Sequence, residues 1–213
     1  MRSGADWFDL MFDSNLRRFI DPPLNQAGKL IATKGIGADQ VTLAGAGLGL
    51  LAAVVIACGW PLLGLILFLG GRLFDGLDGA VARQTKTTNR GGYLDIVLDF
   101  AVYAAIPLAF AVHNPSQNAV AAAVLLASFM LNGAAFLAFA LMAERLKIET
   151  DAQGHKSLYY LGGLAEGGET IIVFTAMCLM PTWFAGLALV FAGLCVVSGA
   201  ARIVLAWRLL GSS

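Results

Sequence analysis

Six long apolar stretches dominate the chain, at roughly residues 41–59, 61–82, 92–113, 117–143, 160–180 and 183–208. Three of the breaks between them are tight: Trp60-Pro61, Asn114-Pro115 and Pro181-Thr182-Trp183. Proline has no N–H to give to a helix and turns the residue before it away from helical geometry, so each break stops a helix and allows a reversal. At ~1.5 Å of rise per residue, every stretch is long enough to cross a ~30 Å hydrocarbon core. The pattern predicts an all-α integral membrane protein with six transmembrane helices. Residues 1–40 read differently. Trp7, Phe8, Leu10, Met11, Leu16, Phe19 and Ile20 are interleaved with Asp9, Asp13, Arg17 and Arg18, as in an amphipathic helix lying in the membrane interface. Pro22-Pro23 ends that helix, and a second short segment follows over about residues 24–33. The expected organisation is an interfacial segment over 1–40 and one six-helix domain over 41–213, without linkers or repeats. Gly45-x3-Gly49 permits two helices to approach closely, within a subunit or across a dimer seam.

Composition agrees with a lipid solvent. Of 213 residues, 58% are hydrophobic and 13% charged, more apolar surface than a soluble domain of this size needs. Fourteen basic residues balance fourteen acidic ones, which argues against a nucleic-acid partner. Cys58, Cys178 and Cys195 all lie in or beside apolar runs, at spacings that suit neither a disulfide frame nor a zinc site, and read as small buried hydrophobes. The charged, aromatic opening is not that of a cleavable signal peptide.

The basic residues set the orientation. Arg2, Arg17, Arg18, Lys29 and Lys34 precede the first stretch. Arg83, Lys86 and Arg90 lie between the second and third, Arg145, Lys147 and Lys156 between the fourth and fifth, and Arg208 closes the sixth. The other three breaks contain no Lys or Arg. The positive-inside rule therefore places both termini and the loop after the second stretch in the cytoplasm.

That loop is flanked by the candidate chemistry. Asp75 and Asp78 are i, i+3, and Asp95 and Asp99 are i, i+4, so each pair projects from one face of its helix. Carboxylates in hydrocarbon are costly unless neutralised. Two helices facing each other with these pairs form an oxygen-only box suited to Mg2+ or Mn2+, ions that complete their shell with water and substrate phosphates. Gly79 lets a ligand approach the backbone, Ala82 keeps the next turn narrow, and Arg83 offers a planar fork for phosphate. Together they read as a diphosphate-handling site.

The pattern Asp75-x2-Asp78-Gly79-x2-Ala82-Arg83-x7-Gly91-x3-Asp95-x3-Asp99 resembles the signature of the CDP-alcohol phosphatidyltransferases, membrane enzymes of phospholipid synthesis, at all eight specified positions. At ~5–8% per residue type, a chance match at a given start is on the order of one in a billion. The resemblance implies transfer of a phosphatidyl group from CDP-diacylglycerol to a small polar alcohol, with release of CMP, in the bacterial inner membrane on its cytoplasmic side. It implies two divalent ions held by Asp75, Asp78, Asp95 and Asp99, with Asp99 as general base. Asp75, Asp78, Gly79, Ala82, Arg83, Gly91 and Thr42 would receive the nucleotide, and the enzyme would be a homodimer. Where relatives carry Thr-Pro-Asn ahead of the first span, this chain has Ala38 and Asp39 at the Pro and Asn positions.

The acceptor is addressed by other residues. Arg202, inside the last stretch, either binds an acceptor phosphate, with Lys156 and Arg145, or pairs with Glu166 or Glu169. Those two glutamates either meet acceptor hydroxyls or pair with a neighbouring cation. Arg72, one turn before Asp75, either pairs with it or contacts phosphate. The cations favour a phosphorylated polyol, with glycerol 3-phosphate first and inositol phosphate second. Two other classes share the buried acids. A polyprenyl-type membrane transferase usually needs a second aspartate-rich motif, and a small transporter would not need Gly79, Ala82 and Arg83 at fixed offsets.

Overall fold

A computed structural model describes residues 23–145 and 167–210, and no strand occurs among them. Helix α1 covers residues 23–33, followed by α2 Ala38–Ala57, α3 Pro61–Gln84, α4 Asn89–His113, α5 Pro115–Arg145 and α6 Gly167–Leu179. A single 3-10 turn at Pro181–Trp183 leads into α7, Phe184–Leu210. The interfacial helix expected before Pro22 lies outside the described residues, whereas the segment after it is helical.

The three tight breaks fall where the sequence reading expects them. Gly35 closes α1 at φ +78° and Gly59 closes α2 at φ +91°, a left-handed conformation that glycine adopts at little cost. Pro61 and Pro115 start α3 and α5 at the position where a missing N–H is harmless. Thr88 precedes α4, and its Oγ1 accepts the N–H of Gly91 at 3.0 Å, an N-cap.

Among the described residues, four segments are long and apolar enough to cross a membrane: Ala38–Ala57, Asn89–His113, Pro115–Met142 and Pro181–Arg208. The second and fifth expected spans differ for separate reasons. Helix α3 has the length but carries Arg72, Asp75, Asp78 and Arg83, and the described part of α6 has 13 residues. Side chains on the outside are apolar, with Val120 78%, Met130 77% and Trp207 82% exposed, a surface that suits acyl chains better than water.

The described residues divide into two compact units, drawn from Met1–Leu51 with Ile66–Val102 and from Ala52–Leu65 with Tyr103–Ser213. In the second, α5 and α7 pack along one another. Its interior is aromatic: Phe110 stacks on Phe184 at 4.5 Å, and Phe129 meets Phe191 edge-on at 5.7 Å.

In the first unit α2 and α3 touch backbone to backbone. A Cβ placed on Gly45 would stand 2.9 Å from Phe74 Cβ and 3.1 Å from Gly71 O, and one on Gly71 would stand 2.8 Å from Gly45 O. A Cβ on Gly49 would strike Val102 of α4. The Gly45-x3-Gly49 spacing thus serves packing inside this unit. Gly71→Ala should cost about 1–3 kcal/mol by overpacking, lowering the Tm of the detergent-solubilised protein by several degrees. A Cβ on Gly70 meets nothing nearer than Leu48 Cδ1 at 3.9 Å, so Gly70→Ala should leave Tm unchanged. Equal melting of the two variants would contradict this packing.

Candidate active site

Both halves of the aspartate pattern belong to the first unit. The C-terminal half of α3 carries Asp75 and Asp78, and α4 carries Asp95 and Asp99. Because α4 begins at Asn89 rather than near residue 92, its two acids stand about one turn deeper in the helix than the apolar pattern suggests.

Asp75, Asp95 and Asp99 converge. Each is half-buried and offers an oxygen within 4.8 Å of the other two. A donor set of carboxylate oxygens alone fits a hard divalent cation such as Mg2+ or Mn2+, with sites left over for water and phosphate. Asp78 lies outside this converging group. It is buried, and its Oδ2 accepts the hydroxyl of Thr42 from α2. That bond gives both residues a local role: α2 contributes a donor to the site, and the carboxylate is not left bare in the interior.

A cation sits among the acids. Arg72 on α3 donates from NH1 to Asp99 Oδ1 at 2.7 Å and lies 3.6 Å from Asp75 Oδ2. Sequence spacing suggested the second contact and missed the shorter one, because a partner 27 positions away on another helix leaves no trace in helical periodicity.

The remaining motif residues line up around α3 and the start of α4. A Cβ on Gly79 would meet only Arg83 NH1, at 3.5 Å, so the backbone there is open to a ligand. Ala82 is half-buried and Arg83 exposed, and Arg83 NH2 donates to Asn25 Oδ1 of α1 at 3.1 Å. A Cβ on Gly91 would stand 3.0 Å from Asp39 Oδ1, and Asp39 in turn lies 3.6 Å from Arg90 Nε. The absent side chain at Gly91 therefore makes room for Asp39. Asn25 escaped the sequence reading, and Asp39 entered it only as a departure from the expected pattern ahead of the first span.

The expected acceptor residues are less concentrated. Lys156 and Glu166 lie outside the described residues. Arg145 is exposed in the last turn of α5, and Glu169 is exposed in the first turn of α6. Arg202 is half-buried on α7, its guanidinium 5.0 Å above the ring of Phe136, a cation–π contact that holds a charge within an apolar helix pair.

The family model for CDP-alcohol phosphatidyltransferase matches residues 36–210. The chain is 45% identical to inner membrane protein YnjF of Escherichia coli over 193 residues, covering 91% of this chain and 94% of that protein. It is 30% identical to archaetidylinositol phosphate synthase of Pyrococcus horikoshii over 161 residues, covering 75% and 78%. The fold is similar to that of Mycobacterium tuberculosis phosphatidylinositol phosphate synthase (PgsA1) with CDP-DAG bound, at TM-score 0.69 and 19% identity, over 86% of this chain and 93% of that one. The same enzyme in complex with manganese and citrate gives TM-score 0.68 at 18% identity, over 86% and 88%.

Proposed function

This chain belongs to the CDP-alcohol phosphatidyltransferase family, and we infer from that premise that it moves a phosphatidyl group from CDP-diacylglycerol to a hydroxyl of a small polar acceptor, releasing CMP. The observation that carries the reading is the meeting of Asp75, Asp95 and Asp99 within 4.8 Å inside the signature stretch. A bond forms between the acceptor oxygen and the β-phosphorus, and the bond from that phosphorus to the bridging oxygen breaks. CMP leaves with the electron pair, and the hydroxyl proton passes to Asp99 as general base. Arg72 engages Oδ1 of Asp99, which leaves Oδ2 to take that proton.

Asp75, Asp78, Asp95 and Asp99 would hold two Mg2+ or Mn2+ ions, whose chemistry when bound is to neutralise the diphosphate and the departing CMP. Gly79, Ala82 and Arg83 receive the nucleotide, with Thr42 and Gly91 at the margins. Asn25 holds the Arg83 fork in place through its 3.1 Å bond.

The acceptor is a phosphorylated polyol, received by Arg202, Arg145 and Lys156, with Glu166 and Glu169 for its hydroxyls. Glycerol 3-phosphate and inositol phosphate are the two to assay first, and the names of the Pyrococcus relative and the Mycobacterium structure speak for the second. The protein is integral to the bacterial inner membrane, a reading supported by its four long apolar helices and by the Escherichia coli relative. Six spans over residues 41–213 follow an interfacial segment over 1–40, with both termini and the site on the cytoplasmic side and two copies forming a homodimer.

The test is CMP release from CDP-diacylglycerol by the purified full-length protein, with a panel of acceptors in Mg2+ or Mn2+. Release with at least one phosphorylated polyol, abolished by EDTA, is the expected result. Absence of CMP release across the whole panel would refute the assignment.

A further inference from the structure

We propose that Arg72 is a positioning residue of the aspartate centre, a resident cation that orients Asp99 and competes with the divalent ion for the same carboxylates. This rests on the metal reading of Asp75, Asp95 and Asp99. The signature begins at Asp75 and does not include position 72; the sequence offered Arg72 as a partner of Asp75 or a phosphate contact, and the geometry adds its bond to Asp99.

One guanidinium nitrogen contacts acids on two different helices, Asp75 Oδ2 on α3 at 3.6 Å and Asp99 Oδ1 on α4 at 2.7 Å. The Arg72 side chain is 9% exposed, against 35% for Asp75 and 29% for Asp99, so its charge has left water and those two acids help to compensate it. Phe68, one turn earlier on α3, lies with its ring centroid 5.9 Å from the guanidinium carbon and walls its apolar side. A guanidinium is more weakly hydrated than an ammonium, so it suits this buried place better than a lysine.

Three carboxylates within 4.8 Å of one another repel. In the ion-free protein Arg72 offsets part of that repulsion and ties α4 to α3 through Asp99. When a divalent ion enters, the ion and the guanidinium draw on the same oxygens and repel each other, so each weakens the other's hold by the same factor. Arg72 thus keeps the site assembled before metal arrives, at the expense of metal affinity, and holds Asp99 by one oxygen throughout.

The experiment uses the full-length protein in detergent. Mn2+ binding is read from the EPR signal of the free ion, and Tm is measured in EDTA and in saturating Mn2+. Even at the screening of bulk water, removing a unit positive charge beside a divalent ion is worth about tenfold in affinity, so Arg72→Gln should bind Mn2+ at least about tenfold more tightly than wild type. Its Tm should fall in EDTA, and saturating Mn2+ should erase the deficit. Arg72→Lys keeps the charge and loses the fork, so its Mn2+ affinity should stay within about twofold of wild type while kcat falls at unchanged KM for CDP-diacylglycerol. Mn2+ binding by Arg72→Gln no tighter than wild type, or a Tm deficit that persists in Mn2+, overturns the proposal. Should Arg72→Gln not fold, a tenfold change in Mn2+ affinity in Arg72→Lys overturns it as well. Wild-type protein that binds no Mn2+ removes the metal reading and this proposal together. Wild-type binding that is lost in Asp95→Asn, beside an Arg72→Gln variant indistinguishable from wild type, removes this proposal alone.

Discussion

Asp99→Asn should abolish turnover, by about a thousandfold or more, while CDP-diacylglycerol still binds. The change is close to isosteric, and the amide oxygen can still accept the Arg72 N–H that Asp99 Oδ1 accepts at 2.7 Å, so α3 and α4 keep their contact. What disappears is basicity. An asparagine cannot take the acceptor's proton, and the loss of a positioned base typically costs 10²–10⁴-fold. Donor binding rests mainly on the α3 residues Asp75, Asp78, Gly79, Ala82 and Arg83 and should persist. The check pairs single-turnover CMP release with a binding measurement on the same preparation. A variant that still releases CMP at close to the wild-type rate, or one that loses donor binding along with turnover, would contradict the role of Asp99.

The second large effect is expected at Asp78. Asp78→Asn should raise the metal concentration needed for activity and cut the rate by roughly a hundredfold or more, as losing one preorganised electrostatic contact at a reacting phosphate does. Asp78 is 8% exposed and accepts the Thr42 hydroxyl, a bond the asparagine oxygen retains, so the variant should fold. Titrating activity against Mg2+ separates a shifted metal requirement from a lowered ceiling. An unchanged titration would remove Asp78 from the metal set and leave it as an anchor for α2.

These two residues show how far the sequence reached. The i, i+3 and i, i+4 spacings put Asp75 with Asp78 and Asp95 with Asp99 on common faces because helical side-chain direction depends on the backbone alone. Spacing does not say how two helices are rotated against each other. Three acids meet, the fourth turns to Thr42, and Arg72 reaches across 27 positions to Asp99. Gly91 makes the same point. The resemblance implied that it receives nucleotide, and its immediate neighbour proves to be Asp39, from the first turn of α2.

By itself the sequence determined the described helices, the three tight breaks between them and the family. Apolar runs, prolines and positive-φ glycines act on their own neighbours, and eight spaced residues are too many to match by accident. The tertiary structure decided which of the aspartates converge and which cation stands among them. The reason is the close approach of α2 and α3 at Gly45 and Gly71 and of α2 and α4 at Gly49 and Val102, since contacts of that kind set how the acid-bearing helices face each other. Such contacts link residues far apart along the chain, and no local pattern records them.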